Sequence, residues 1–448
     1  MKVRRPRNVL AMAVSCAMPD ALLTIRAGTV LDPDPLPGAA GVVVSGGRID
    51  RILYATDVVP TTGTVIDLGA DATILPGLID VHTHGGWGHR YVDGAEAARE
   101  ILRRRAESGC TGLLMTVGNY GLVPKPDDGP KAWADAMCEW LPDLATVVGA
   151  PTGGAVALGF HIEGPWLNWD AWVAWGAREA SGRSAILPEW DDFARLQSAA
   201  ANAIRLVSAA PEFPGALDFI ARLAGSEVVV SIGHTTASPE LVGLAVDAGA
   251  RHATHTFNGM QPLHHRNPGA AGAVMADDRV ICELIADGAH VHPIMQRVLW
   301  RSKGAGRVAL VTDATAWAGM PPGRHSDPST GRTFEVRDDL GCWSPTGNLA
   351  GSGSPADRNV ALLTAIGGVP LADAARMGST VPAAQLGLGD RKGRVATGFD
   401  ADLCVLAPTA GARLGGAWPD PNHAPGSDLR CVLTVVGGEV VYRRQATA

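Results

Sequence analysis

Between residues 74 and 388 short apolar runs alternate with stretches whose apolar residues recur at helical spacing. The apolar runs are ILPGLIDV (74–81), TGLLMTV (111–117), VALGFHIE (156–163), AIRLVSA (203–209), EVVVSIGH (227–234), RHATHTF (251–257), VICELIAD (280–287) and RVALVTD (307–313). Helical patterns such as AEAAREILRRRAES (95–108), SPELVGLAVDAGA (238–250) and HPIMQRVLWRS (292–302) fall between most of them. The seventh run is the exception, with a loop in place of a clear helix before it. About eight βα units over some 300 residues predict an α/β fold, a TIM (β/α)8 barrel. The two ends read differently. TIRAGTVL, GVVVSGGRIDRIL, GRVATGFDADLCVLAP and LRCVLTVVGGEVVYR are short strands with turns, the last a hairpin at Gly437-Gly438. They predict a small β-sandwich built from both termini, residues 20–73 and 391–448, around a barrel spanning 74–390.

Composition narrows the class. The 448 residues are 46% hydrophobic and 19% charged, which suits a large buried core and excludes a disordered or coiled-coil chain. A net charge of −7 argues against a nucleic-acid surface. No apolar run reaches the roughly 18 residues of a membrane helix. The opening MKVRRPRNVLAMAVSCAM has the outline of a signal peptide, but the reading taken is a ragged N-terminus over 1–19, with initiation at Met12 or Met18 as a variant. The seven cysteines are widely spaced and contain no CxxC, which speaks against a disulfide framework or a thiolate zinc site and for a reducing cytoplasm.

A barrel of this kind carries its active site at the C-terminal ends of its strands. In order those ends hold His82 and His84, Asn119, Glu163, Glu212, His234, His255, Asp287 with His290, and Asp313. Buried His and Glu are costly unless paired or ligated, so a metal site is the economical explanation. His82 and His84 form an HxH pair whose imidazoles share one strand face. Glu163, His234 and His255 make a His2Glu set, a sound catalytic metal sphere. Asp313 closes the eighth strand, where a carboxylate can take a proton from attacking water and return it to a leaving amine.

The chain resembles the N-acetylglucosamine-6-phosphate deacetylases of the amidohydrolase superfamily from about Leu22 to Tyr442. The motifs are LPGLIDVHTHG (75–85), GFHIEGPWL (159–167), APE (210–212), SIGHTTA (231–237), HTFNGM (255–260), RNPGAAGAVM (266–275), IADGAHVHP (285–293), LVTDA (310–314), LAGSGSPAD (349–357) and KGRVATGFDADLCVL (392–406). The resemblance implies metal ligation by Glu163, His234 and His255, with Asp313 as general acid/base. It implies a second ion on His82 and His84 if two bind. The five lysines (Lys2, Lys125, Lys131, Lys303, Lys392) include none at a barrel strand end, so no carbamylated lysine is expected and Glu163 would bridge two ions. Zinc is the preferred divalent metal; the same ligands admit Fe, Mn or Co.

The resemblance further implies that Asn258, Gly259 and Arg266 bind a sugar phosphate, the arginine reaching across the interface of a homodimer. It implies that His290 contacts substrate and that Leu349, Ala350 and Gly351 line the sugar. One departure stands out. Where the family has Gly-Ala-His after GPWL, this chain has Gly176-Ala177-Arg178 in a loop with Trp166, Trp169, Trp172 and Trp175. Arg178 is therefore a candidate donor to the acyl oxygen or another anionic group, and the tryptophans are either packing or a lid. The expected activity is removal of the N-acetyl group of N-acetylglucosamine 6-phosphate. A different N-acyl substrate, phosphorylated or unphosphorylated, and a catalytically dead barrel are the alternatives.

Overall fold

The computed structural model describes residues 22–118, 132–169, 171, 186–326, 331, 333–337, 341–345, 347–409 and 428–445. Eight parallel strands lie side by side in chain order: β1 (Leu78–Thr83), β2 (Cys110–Val117), β3 (Val156–Glu163), β4 (Ile204–Ala209), β5 (Val229–Ile232), β6 (His252–Ala253), β7 (Ile281–Ile285) and β8 (Val308–Val311). Backbone bonds just past the end of β8 close the ring. Asp313 N–H donates to His82 O (2.9 Å), and His84 N–H donates to Ala314 O (2.7 Å). Below them the Thr312 hydroxyl donates to the Asp80 carboxylate at 2.5 Å. β2 is buried at every residue and β3 at all but its first, as expected of strands covered on both faces.

A helix follows each strand: α1 (Ala95–Arg105), α2 (Ala132–Ala145), α3 (Trp190–Ala199), α4 (Ala216–Gly225), α5 (Pro239–Ala248), α6 (Gly269–Ala276), α7 (Pro293–Lys303) and α8 (Ala356–Ala365). The expectation of a loop before the seventh strand is corrected by α6. Its sequence, GAAGAVMA, contains only small and apolar residues, so no polar stripe marks its helical period.

Two further sheets pack on one another. A four-stranded sheet joins Arg48–Tyr54, Ala39–Ser45, Leu23–Arg26 and Thr64–Asp67. A six-stranded sheet runs from Glu439–Arg443 through Leu429–Val436, Leu403–Pro408, Thr73–Pro76 and Thr29–Asp32 to Asp34–Pro35. Ile25, Val42, Ile74, Leu403, Val405 and Leu433 fill the space between them. The run ILPGLIDV is thus divided: Thr73–Pro76 belongs to this sheet and Leu78–Thr83 to the barrel. Gly77 makes the crossing, because a Cβ there would lie 2.2 Å from the Thr111 hydroxyl.

Beyond β8 a four-stranded antiparallel sheet (Gly323–Ser326, Thr333–Val336, Gly341–Trp343, Leu349–Ser352) returns to the barrel rim. Ser352 N–H donates to Asp313 O at 2.9 Å, which sets Leu349, Ala350 and Gly351 beside Asp313. Gly351 has φ +79°, and a Cβ there would lie 2.3 Å from Thr315 Cγ2 and 3.0 Å from Asp313 O.

Candidate metal centre

Six ligand-type side chains from five segments converge at the C-terminal end of the barrel. They form two groups, Glu163–His234–His255 and His82–His84–Asp313. In the first, His234 Nε2 and His255 Nε2 lie 3.0 and 3.1 Å from the same Glu163 Oε1, and 2.9 Å from one another. His255 Nδ1 faces the Asn258 carbonyl at 3.0 Å, so it carries the proton and leaves the Nε2 lone pair for the centre. At most one proton can lie between the two facing nitrogens. Ligand atoms bonded to one ion at ~2.0–2.2 Å lie about 3–3.5 Å apart, so the donor set fits a divalent metal.

The second group shares Glu163. His84 Nε2 is 3.1 Å from Glu163 Oε2 and 3.4 Å from Asp313 Oδ1. His82 Nε2 is 3.5 Å from both Glu163 Oε1 and Asp313 Oδ1, and it is buried without a hydrogen-bond partner. A buried lone pair with nothing to accept is costly, and coordination would satisfy it. Glu163 lies within 3.5 Å of all four histidines.

Backbone conformation aims the ligands. His234, His255 and Asp313 each follow their strand by two residues and take positive φ (46°, 28° and 48°), an uncommon and strained conformation for such residues. Gly259 lets the turn after β6 approach closely. A Cβ there would lie 2.9 Å from His234 Nδ1 and 3.0 Å from His255 Cε1.

Burial alone would raise Glu163, but the His82 charge and the histidine hydrogen bonds hold it well below the usual carboxylate range. Burial likewise opposes ionisation of Asp313, and His82 and His84 more than offset it, keeping that carboxylate low. His234 is pushed down by burial and by the neighbouring His255. The centre therefore presents ionised carboxylates and, at His234, a neutral imidazole.

His290, at the end of β7, has Nδ1 2.7 Å from Asp287 Oδ2. Burial would raise Asp287, but the His290 charge and hydrogen bonds, with the backbone N–H groups of His290 and Ala289, lower it to about 2. Asn258 and Gly259 form the turn beside His255. Arg266 is exposed on the segment before α6. Arg178, Trp172, Trp175 and Asn119 lie outside the described residues. Trp166 is core, packed on Trp133 and Phe219, whereas Trp169 sits with its ring centroid 6.2 Å from that of His234. Glu212 is in neither ligand group; it accepts hydrogen bonds from Asn168, Thr235 and Thr236 and braces the turn that carries His234.

Sequence reasoning overlooked Glu283, His252, His161 and Asp80, all buried inside strands. Each is an ionisable residue interrupting an apolar run, a signal that lies within the strands rather than at their C-terminal ends. A cavity of about 570 Å³ opens at the opposite end of the strands, lined by Val229, Arg251, Ile281 and Gln385, away from both ligand groups.

Two models of the Amidohydrolase family match residues 73–318 and 308–442. The N-acetylglucosamine-6-phosphate deacetylase of Bacillus subtilis (strain 168) is 31% identical over 387 residues, 84% of this chain and 86% of that protein. The chain belongs to the N-acetylglucosamine-6-phosphate deacetylase family of amidohydrolases. An N-acetylgalactosamine-6-phosphate deacetylase of Escherichia coli O157:H7 is 32% identical, covering 80% of this chain and 89% of that one. Among solved structures, a mutant N-acetyl-D-glucosamine-6-phosphate deacetylase of Mycobacterium smegmatis, in complex with N-acetyl-D-glucosamine-6-phosphate, superposes with a TM-score of 0.76. It is 28% identical and covers 94% of this chain and 100% of that one. Membership of this deacetylase family accounts for a divalent metal centre at this end of the barrel.

Proposed function

We propose that this chain hydrolyses the acetamide of N-acetylglucosamine 6-phosphate, giving glucosamine 6-phosphate and acetate. The observation that carries the reading is the convergence of Glu163, His234 and His255 on one point, with Asp313 at the same mouth. Glu163, His234 and His255 hold one divalent ion, and His82 and His84 with Asp313 hold a second. When bound, the metal makes the attacking water more acidic and polarises the acetyl carbonyl.

The protein's own groups do the rest. Asp313, an ionised carboxylate at this mouth, accepts the water proton as the water oxygen bonds to the acetyl carbon. The same carboxyl then delivers that proton to the sugar nitrogen as the C–N bond breaks; the second water proton stays on the departing acetic acid, which ionises to acetate in solution. His290, oriented by Asp287, and Arg178 are the donors assigned to the acyl or sugar oxygens. Backbone groups of Asn258 and Gly259 and the guanidinium of Arg266 take the phosphate, a geometry suited to a dianion. Leu349, Ala350 and Gly351 border the sugar.

Zinc is the metal assigned, because a His2Glu set with open positions is a catalytic zinc sphere. A homodimer is assigned by analogy with the family, whose phosphate-binding arginine reaches across a dimer interface, and a cytoplasmic location from the cysteine usage. The E. coli relative supports one second reading, the C4 epimer N-acetylgalactosamine 6-phosphate as substrate. Among the described residues no helix is long and apolar enough to cross a membrane.

An acetate-release assay over both 6-phosphates and their unphosphorylated parents tests the reading. The expected result is turnover of N-acetylglucosamine 6-phosphate above the others. Preference for an unphosphorylated sugar, or no acetate from a metal-loaded protein, overturns it. Metal analysis and light scattering on the same preparation test zinc and the dimer.

A further inference from the structure

Glu283 is a carboxylate in the interior of β7 with no solvent exposure. Such a group is costly unless its oxygens are fully engaged. Three donors engage them. His82 Nδ1 lies 2.8 Å from Oε2, the His255 backbone N–H donates to the same oxygen at 2.8 Å, and His252 Nε2 lies 2.8 Å from Oε1. Behind His252, the side-chain amide nitrogen of Gln385 contacts its Nδ1.

These contacts fix protons in one direction. An ionised carboxylate only accepts, so His82 carries its proton on Nδ1 and His252 carries its own on Nε2. The His252 Nδ1 lone pair then accepts from Gln385. At the other end of the chain, a His82 that gives up its second proton to bind an ion has its lone pair on Nε2, the buried atom that faces Glu163 and Asp313 without a hydrogen-bond partner. His255 depends on Glu283 only through its backbone, since its ring is oriented by Asn258 O.

We propose that Glu283 is a positioning residue for the His82–His84–Asp313 half of the centre, holding His82 in the tautomer and orientation that a second divalent ion requires. The inference rests on the reading that two ions bind. It separates the ions: the Glu163–His234–His255 site meets Glu283 only through the His255 backbone N–H, whereas the second site depends on it through the His82 ring. Loss of a partner that orients a ligand histidine weakens metal binding about 10–100-fold.

Co²⁺ titration of chelator-treated full-length protein, read by visible absorption and by metal content after gel filtration, tests this. Wild type is expected to take up two equivalents. Glu283→Met is expected to keep the first equivalent and bind the second about 10–100-fold more weakly. Glu283→Gln is expected to restore the second to within a few-fold, because its carbonyl can still accept from His82 while His252 and Gln385 reverse their proton direction.

Three results overturn the proposal: a second equivalent unchanged in Glu283→Met, loss of both equivalents together, or a wild type that binds one ion only. Acetate release by the same wild-type samples separates that last failure from failure of the deacetylase reading. If Glu283→Met does not fold, the ¹⁵N–¹H spectrum of histidine-labelled wild type decides, with the His82 signals assigned by their absence in His82→Gln. An Nδ1–H tautomer is expected; an Nε2–H tautomer overturns the proposal.

Discussion

The two halves of the metal centre are built differently. In the Glu163–His234–His255 half the ligand atoms lie 2.9–3.1 Å apart and come from the ends of β3, β5 and β6. In the His82–His84–Asp313 half the Asp313 carboxylate lies 3.4 and 3.5 Å from the two imidazoles, and the residues come from β1 and the end of β8, the seam at which the barrel closes. The first half depends on local turns, with Gly259 tucked beneath two imidazoles and Glu212 bracing the His234 turn. The second depends on ring closure and on a buried carboxylate from β7. One carboxylate, Glu163, belongs to both.

That shared position gives the largest expected effect. Glu163→Gln removes the charge that both halves use, so activity should fall to background and bound metal should drop in both positions. The circular dichroism spectrum should stay that of a folded barrel, because the closing hydrogen bonds between residues 82–84 and 313–314 do not involve Glu163. Retention of both metal and turnover would dissolve the comparison, since neither half would then depend on this residue.

A smaller effect separates the halves. Asp313→Asn leaves the Glu163–His234–His255 group untouched but removes the proton acceptor. We expect the first metal equivalent to remain while kcat falls by at least about 10²-fold, the lower range for general acid–base catalysis. Wild-type kcat in this variant would show that another group handles the proton. Loss of the first equivalent would show that the halves are not separable.

The same contrast explains what the sequence disclosed. Residues that close an apolar strand with a charge, such as Glu163, His234, His255 and Asp313, are conspicuous, and period two places His82 and His84 on one face. Glu283, His252 and His161 obey the same physical rule, yet they sit inside strands, where a reader expects core. α6 was missed for the opposite reason: with only Gly, Ala, Val and Met, it lacks the polar face that makes a helix visible. The division of ILPGLIDV at Gly77 was hidden because both halves are equally apolar. What decides the break is the Thr111 hydroxyl from β2, a neighbour no local pattern reveals.

Arg266 tests the substrate side of the comparison, away from both ligand groups. Arg266→Ala should raise KM for a phosphorylated substrate roughly ten- to a hundredfold, the loss of a charge-assisted hydrogen bond of about 1.5–3 kcal/mol. The unphosphorylated sugar should be affected much less, and metal content should not change. Equal losses on both substrates would assign the arginine a structural role.

The smallest expected effect concerns Arg178, which lies outside the described residues in the segment that follows Glu163. Two tryptophans at the start of that segment already differ in kind. Trp166 is buried against Trp133 and Phe219, while Trp169, also buried, has its ring beside that of His234, so the described start of the segment lies next to the metal centre. A side chain nine residues further on is within chain reach of the mouth. A guanidinium there stays charged at every working pH, whereas an imidazole would titrate near ~6.5. If Arg178 donates to the acyl oxygen, Arg178→Ala should lower kcat/KM about tenfold, roughly one hydrogen bond to a developing charge. Arg178→His should retain more activity than the alanine variant, and metal content should stay at the wild-type level in both, because neither half of the centre loses a ligand. Unchanged kinetics in Arg178→Ala would leave the segment a packing role, with Trp166 and Trp169 as its anchors.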